Sequence, residues 1–114
     1  MTGKTKMKGK KYIPLIVEEL KKTSPEKIIL FGSYAYGKPD EESDIDILII
    51  KDIQPSEIRN FRLNIKLQLW NLIKSSNIPI DIIVDSQERI IQRINDGDMF
   101  YKEILTQGNI MYAE

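Results

Sequence analysis

The residues best suited to chemistry are two aspartates, Asp44 and Asp46, in an otherwise apolar run that ends at Ile50. Successive side chains of a strand point to opposite faces, so these two carboxylates would share one face, about 7 Å apart. Two adjacent like charges in an apolar strand need compensation, which a divalent cation can supply. The pair therefore predicts a site for a hard cation. The alternative is that both aspartates are solvated residues at the entrance of a strand.

A glycine and a serine, Gly32 and Ser33, stand ten residues before this pair. They follow the run KIILF, Lys27 to Phe31, whose Ile-rich composition is typical of a buried strand. Glycine permits a sharp turn and a close approach to a ligand, and we expect Ser33 to be the N-cap of a short helix that reaches Tyr36. Free N–H groups at such a helix start favour an anion. The segment predicts a phosphate-binding turn.

A third aspartate lies in a later apolar run, Ile78 to Asp85. Strand alternation places Asp81, Ile83 and Asp85 on one face. We predict that Asp81 is the third carboxylate of the site, whereas Asp85 is a loop residue that caps the next helix. Three carboxylates on neighbouring strands suit phosphoryl chemistry with two metal ions.

From about Lys27 to Val84 the chain resembles a minimal, single-domain nucleotidyltransferase of the DNA polymerase beta superfamily. The resemblance is carried by the Gly-Ser turn, the Asp-x-Asp pair ten residues later and the aspartate of the later strand. The stretch Glu103 to Tyr112 is also similar to the ending of many minimal members. This resemblance implies an α/β fold with a small mixed sheet and flanking helices.

The resemblance also implies a role for each motif. Gly32 and Ser33 would hold the β- and γ-phosphates of ATP, and Asp44 and Asp46 would bind two magnesium ions. Asp81 would bind metal and help to activate the acceptor hydroxyl. Attack on the α-phosphorus would transfer AMP and release pyrophosphate.

The chain departs from this family pattern at one position. Many relatives carry an arginine where this chain has Tyr36, so a planar and permanently charged phosphate ligand is missing. Lys38, two residues later, is the candidate substitute as a point charge; the alternative is a solvated loop lysine.

Minimal members of the family resemble the antitoxin half of toxin–antitoxin pairs whose toxin is a small helical HEPN ribonuclease. The resemblance thus implies transfer of AMP to a toxin tyrosine. Two alternatives stay open: a non-catalytic module that neutralises its partner by occlusion, and a small-molecule nucleotidyltransferase completed by another chain.

Composition excludes several function classes. The 114 residues include no cysteine and no histidine, and basic and acidic residues number 17 each. Disulfides, zinc sites and histidine acid–base chemistry are excluded, and any metal must be held by oxygen, which favours magnesium or manganese. Zero net charge argues against a strong nucleic-acid footprint. Because no apolar stretch reaches the length of a membrane span and no signal-peptide core follows the first lysines, we expect a cytoplasmic protein.

The length predicts one globular domain, residues 12–114, after a flexible basic tail, residues 1–11, that contains five lysines. Capping signals and helical spacing predict three helices in addition to the segment discussed next. They are Tyr12 to Lys22, Gln87 to Asn95 and Met99 to Thr106.

The segment Pro55 to Lys74 alternates apolar and polar residues as a strand does, but it contains good helix formers and no turn residue after its start. We predict a helix. One apolar stripe of this helix contains Ile58, Phe61, Ile65, Leu69 and Leu72. A second stripe on the other side contains Leu63, Leu67 and Trp70. A small domain cannot bury both, so the second stripe is either a face that binds a partner or a second copy, or it is covered by the terminal helices.

Overall fold

A four-stranded mixed sheet with helices on both faces organises the protein, as seen in a computed structural model that describes residues 8–40 and 43–114. The predicted α/β fold is confirmed. The strands are β1 (Lys27–Phe31), β2 (Ile45–Ile50), β3 (Ile80–Asp85) and β4 (Asn109–Ala113). The helices are α1 (Ile13–Lys21), α2 (Ser33–Tyr36), α3 (Ile58–Ile73), α4 (Gln87–Asn95) and α5 (Met99–Gln107).

The order of strands in the sheet is β3-β2-β1-β4. β1 runs antiparallel to both β2 and β4, whereas β2 and β3 are parallel and are connected through α3. A parallel pair needs such a long crossover, which is why a helix stands between these two strands. The parallel arrangement brings the starts of β2 and β3 to the same end of the sheet.

Each face of the sheet is covered by its own pair of helices. Ile47 and Ile82 belong to a core with buried residues of α1 and α3, such as Ile16 and Ile65. On the opposite face, Leu48 packs with residues of α4 and α5, which include Ile90, Tyr101 and Ile104. Isoleucine dominates both cores because β-branched side chains pack well on a pleated surface.

The beginning of the described chain is a short 3-10 turn, Lys8–Tyr12, which leads directly into α1. Gly9 is buried against Tyr34, whose hydroxyl would collide with a Cβ atom at this position. Within this turn Gly9 is buried, whereas Lys10 and Lys11 are exposed. The predicted tail otherwise lies in residues 1–7, outside the described residues.

The predicted helices and the first three strands appear within a few residues of their expected bounds. Sequence reasoning missed β4, which pairs with β1 through a bulge near Ile28 and Ile29. Ile110 is exposed while Met111 and Tyr112 are partly buried, so this edge strand lacks the strict alternation that would have revealed it.

α3 buries one side and exposes the other. Ile65, Leu69 and Ile73 face the sheet. Ile73 takes the place that we predicted for Leu72, which is exposed. The prediction that the terminal helices could cover the second stripe is wrong, because α4 and α5 pack on the opposite face of the sheet. No helix within the described residues is long and apolar enough to cross a membrane.

Candidate active site

Two of the predicted carboxylates lie side by side on neighbouring strands. Asp46 of β2 is the direct register partner of Asp81 of β3. Adjacent strands are about 4.8 Å apart, and register partners in a parallel pair point to the same face. Asp46 is partly buried and Asp81 is exposed. The pair lies on the same face of the sheet as α4 and α5, near the end of this face that the two helices leave uncovered.

The predicted turn meets this pair directly. Gly32 adopts φ 72° and ψ −153°, a conformation essentially restricted to glycine. A Cβ atom at this position would collide with Oδ2 of Asp46. The carboxylate of Asp46 therefore rests against the backbone of the turn, and glycine is needed both for the backbone conformation and for the space.

Ser33 occupies a different place from the one predicted. Gly32 is the N-cap residue of α2, and Ser33 is the first residue of the helix. The carbonyl of Gly32 accepts hydrogen bonds from the N–H groups of Ala35 and Tyr36, each at 3.0 Å. The prediction of Ser33 as N-cap was wrong because the chain turns one residue earlier, where only glycine can take the required conformation. Ser33 remains beside the turn, partly buried.

Asp44 completes a cluster of negative charge around Asp46. It precedes β2 by one residue and is exposed. Burial of Asp46, followed by the charges of Asp81 and Asp44, raises the pKa of Asp46 to about 6. Phe31 contributes to the apolar side of this environment, since it is the register partner of Asp46 on β1 and packs edge-to-face against Phe100.

The donor set fits a hard divalent cation. The described side chains here offer carboxylate oxygens, which suit magnesium, and the mutual repulsion at Asp46 is the kind that a cation relieves. Within residues 8–40 and 43–114, however, no three acidic side chains already stand in a geometry that would hold a metal ion. A cation that used all three carboxylates would have to draw Asp44 and Asp81 towards Asp46.

The remaining predicted phosphate ligand stands apart. Lys38 is exposed on the loop that follows α2, and it makes no hydrogen bond or ion pair with any described residue. Tyr36, at the position where the resemblance implies an arginine, is also exposed, at 39%. Tyr34 is instead buried and anchors α2 in the core shared with α1. The two tyrosines of the turn thus have different roles, which their spacing alone did not reveal.

Asp85, the second acidic residue of β3, stabilises the packing of the helices on the sheet. Asp85 was predicted to cap the next helix from a loop, but it is the buried last residue of β3, and Ser86 caps α4. Asp85 accepts a hydrogen bond of 2.7 Å from the hydroxyl of Tyr101, and its other oxygen lies 2.9 Å from Nε of Arg89. The Arg89 contact is an ion pair without hydrogen-bond alignment. These contacts tie α4 and α5 to the strand that carries Asp81.

We expect Tyr101→Phe to lower the free energy of unfolding by about 2 kcal/mol, because it leaves a buried carboxylate without one of its donors. Urea unfolding would measure the change. Tyr112→Phe is the matched control, since the Tyr112 ring is only partly buried and packs beside the ammonium of Lys21. Equal stability of the Tyr101→Phe variant and the wild type would contradict a structural role for the Asp85 contact.

A sequence model described as "Nucleotidyltransferase domain" matches residues 11–107. The chain belongs to this nucleotidyltransferase family. The match includes the turn, the three carboxylates and the five helices named above, and it ends just before β4.

Two curated relatives of this nucleotidyltransferase come from Methanocaldococcus jannaschii. One, named "Putative protein adenylyltransferase MJ0604", is 41% identical over 87 residues, which are 76% of this chain and 78% of the relative. The other, named "Putative protein adenylyltransferase MJ0141", is 32% identical over 68 residues, 60% of this chain and 63% of the relative. No solved structure gives a significant match.

Proposed function

We propose that this nucleotidyltransferase transfers AMP from ATP to a hydroxyl group of a protein. The observation that carries the proposal is the convergence of Gly32 and Asp81 on Asp46, which joins the glycine turn to a carboxylate cluster. The names of the two relatives support AMP as the transferred group and a protein as the acceptor.

The turn would bind the phosphates of ATP. The first N–H groups of any helix lack acceptors within the helix and can bind an anion. In α2 the N-cap is Gly32, and the first of these N–H groups belongs to Ser33. Lys38 would add a positive point charge for the triphosphate. Asp44, Asp46 and Asp81 would hold two magnesium ions. When bound, magnesium neutralises phosphate charge and lowers the pKa of a coordinated hydroxyl.

The chemical step is an in-line displacement at the α-phosphorus. The acceptor oxygen forms a bond to this phosphorus, while the bond from phosphorus to the bridging oxygen of pyrophosphate breaks. The hydroxyl proton passes to the carboxylate of Asp81, which is exposed and so can meet an incoming acceptor. Pyrophosphate leaves with the electron pair of the broken bond.

The proposed acceptor is a tyrosine of a small helical HEPN ribonuclease toxin, for which this chain would be the antitoxin in the cytoplasm. The resemblance of the turn and the three aspartates to minimal nucleotidyltransferases supports this choice. Because the carboxylates lie at an open end of the sheet, a folded protein can present a side chain to them.

The test is the intact mass of the protein encoded beside this chain, before and after incubation with the enzyme, ATP and magnesium. We expect a gain of one or more AMP groups, and no gain with the double variant Asp44→Asn, Asp46→Asn. Peptide mapping would identify the modified residue. A stable complex without any mass gain would contradict catalysis and favour a module that acts by occlusion.

A further inference from the structure

The second stripe of α3 is an apolar surface of unusual exposure. Leu67 is 66% exposed, Trp70 60% and Leu63 49%. Single exposed apolar residues are ordinary, but three on one side of one helix form a continuous patch of the kind found at protein interfaces. Tryptophan is also among the residues that most often dominate binding energy at such interfaces.

This stripe borders an apolar groove of about 290 Å³. Lys66, Leu69, Trp70 and Ile73 of α3 line one wall, and Ile78, Pro79, Ile80 and Ile82 line the other. The indole of Trp70 therefore stands beside a space that an apolar side chain of a partner can fill.

The groove lies next to the carboxylate cluster. Ile80, in its wall, is adjacent to Asp81 in β3, and strand alternation places their side chains on opposite faces. β3 is an edge strand among the described residues, so no other strand separates the groove from Asp81 on that side. A protein bound in the groove can reach around the edge of β3 and present a side chain to the carboxylates.

The charge along α3 and the segment that leads to β3 is of one sign, and the acidic residues of the site begin only at Asp81, beyond this wall of the groove. Residues 58–80 contain four basic residues and no acidic residue, although the whole chain has zero net charge. The basic residues are Arg59, Arg62, Lys66 and Lys74. Glu19 of α1 reaches α3, where it accepts a hydrogen bond from Gln68, but it is also paired with Lys22. A complementary partner therefore carries acidic residues around an apolar anchor.

This charge pattern disfavours two other occupants. Two copies of α3 facing each other would bring together two surfaces that carry basic and no acidic residues, and like-charge contacts oppose association. A nucleic acid would suit the positive charge, but it would leave Leu63 and Leu67 in contact with phosphate and water rather than with apolar atoms.

We infer that the α3 stripe and its groove dock the protein that accepts AMP, through an apolar side chain surrounded by acidic residues. This inference rests on the proposed function, because it identifies how the acceptor reaches the site. The apolar contact comes from Leu63, Leu67 and Trp70, and the positive charge comes from Lys66. Asp81, at the end of β3 beside the groove, then meets the acceptor side chain.

The experiment compares Leu67→Glu, Trp70→Glu and Lys66→Glu with the control Ile91→Glu, using the neighbouring gene product as acceptor. Ile91 is a good control because it is exposed, at 48%, and lies on α4 across the sheet. We expect Leu67→Glu, Trp70→Glu and Lys66→Glu each to lower kcat/KM for the acceptor by about tenfold or more, as substitution of an interface anchor does. The KM for ATP should stay within about twofold of the wild-type value. The Lys66→Glu effect should shrink in high salt. Ile91→Glu should match the wild type.

Direct binding separates this inference from the proposed function. The Asp44→Asn, Asp46→Asn variant should still bind the neighbouring protein in calorimetry, while Leu67→Glu should not. If no AMP is transferred but Leu67→Glu still abolishes binding, the docking surface stands and the proposed catalysis fails. If the stripe variants transfer AMP and bind like the wild type, the docking inference is wrong and the proposed function stands.

Two further measurements test the disfavoured occupants. A wild-type dimer in sedimentation that becomes a monomer in Leu67→Glu, with unchanged acceptor kinetics, would assign the surface to a second copy. Binding of a mixed-sequence single-stranded RNA that is lost in Lys66→Glu, again with unchanged acceptor kinetics, would assign it to nucleic acid. Either result would overturn the inference.

Discussion

Asp46→Asn is expected to lower the rate of nucleotidyl transfer by at least about a thousandfold and, without metal, to make the protein more stable at pH 7. The rate falls because the amide cannot replace the central carboxylate of the site, and metal catalysis contributes several kcal/mol to transition-state stabilisation. The stability rises because the substitution removes a carboxylate whose ionised form is disfavoured first by burial and then by the charges of Asp81 and Asp44, which together raise its pKa.

The sign of the stability effect follows from the pKa. In the folded protein the pKa of Asp46 rises from 3.8 to about 6, so the folded state binds more protons than the unfolded state between these values. The wild type therefore loses stability as the pH rises through this window, and the loss is complete above about pH 6. The advantage of Asp46→Asn should be absent below pH 3.8 and full at pH 7.

The expected gain is about 1 kcal/mol. A pKa rise from 3.8 to about 6 would correspond to about 3 kcal/mol for a fully buried group, but Asp46 is only partly buried and water screens its neighbours. Urea unfolding in EDTA at pH 3.5, 5 and 7 would measure it, with Asp52→Asn, an exposed residue just after β2, as the control.

Added magnesium should reverse the order of stabilities. If magnesium binds at the three carboxylates as proposed, its binding would stabilise the wild type, and Asp46→Asn would gain less because the central ligand is missing. A variant that is less stable than the wild type at pH 7 in EDTA would contradict the view that Asp46 stands under electrostatic strain.

Gly32→Ala is expected to reduce both stability and activity. The backbone conformation at Gly32 is unfavourable for any residue with a Cβ atom, which costs about 1–3 kcal/mol. The new methyl group would also collide with Asp46 and displace its carboxylate. Because displacement of a reacting group by about 1 Å can cost on the order of a hundredfold in rate, we expect a loss of about that size.

Gly97→Ala separates the two effects. Gly97 has φ 97°, but a Cβ atom there would meet no other atom within 4 Å. This variant should lose stability and keep its rate of transfer, measured below the unfolding temperature of both variants. If Gly32→Ala retained full activity while Gly97→Ala behaved as expected, the contact between the turn and Asp46 would be irrelevant to catalysis.

Local patterns in the sequence were sufficient for much of the framework. Lys27 to Phe31 was predicted as a strand and forms β1, and the alternation within Asp44 to Ile50 and Ile78 to Asp85 indicated β2 and β3. The segment of α3 alternates apolar and polar residues as a strand does, but it forms a helix. The helix propensities of its residues add up over the whole segment and so decide its structure. Burial and capping leave a local signature that can be read residue by residue.

Features that depend on distant parts of the chain could not be read in this way. β4 forms because β1 offers it a free edge, and Asp85 is buried because Tyr101 and Arg89 come from helices that pack above it. Likewise, α4 and α5 cover the face opposite to α3, which leaves the stripe of Leu63, Leu67 and Trp70 exposed.

The sequence by itself determined the chemical inventory of this nucleotidyltransferase: a glycine turn, three aspartates, and no histidine or cysteine. Only the tertiary structure decided how these residues act on one another. The parallel register of β2 and β3 places Asp81 beside Asp46, and the turn places Gly32 against the same carboxylate. The raised pKa of Asp46 follows from these contacts, since burial and the Coulomb interaction depend on distance in space rather than on separation along the chain.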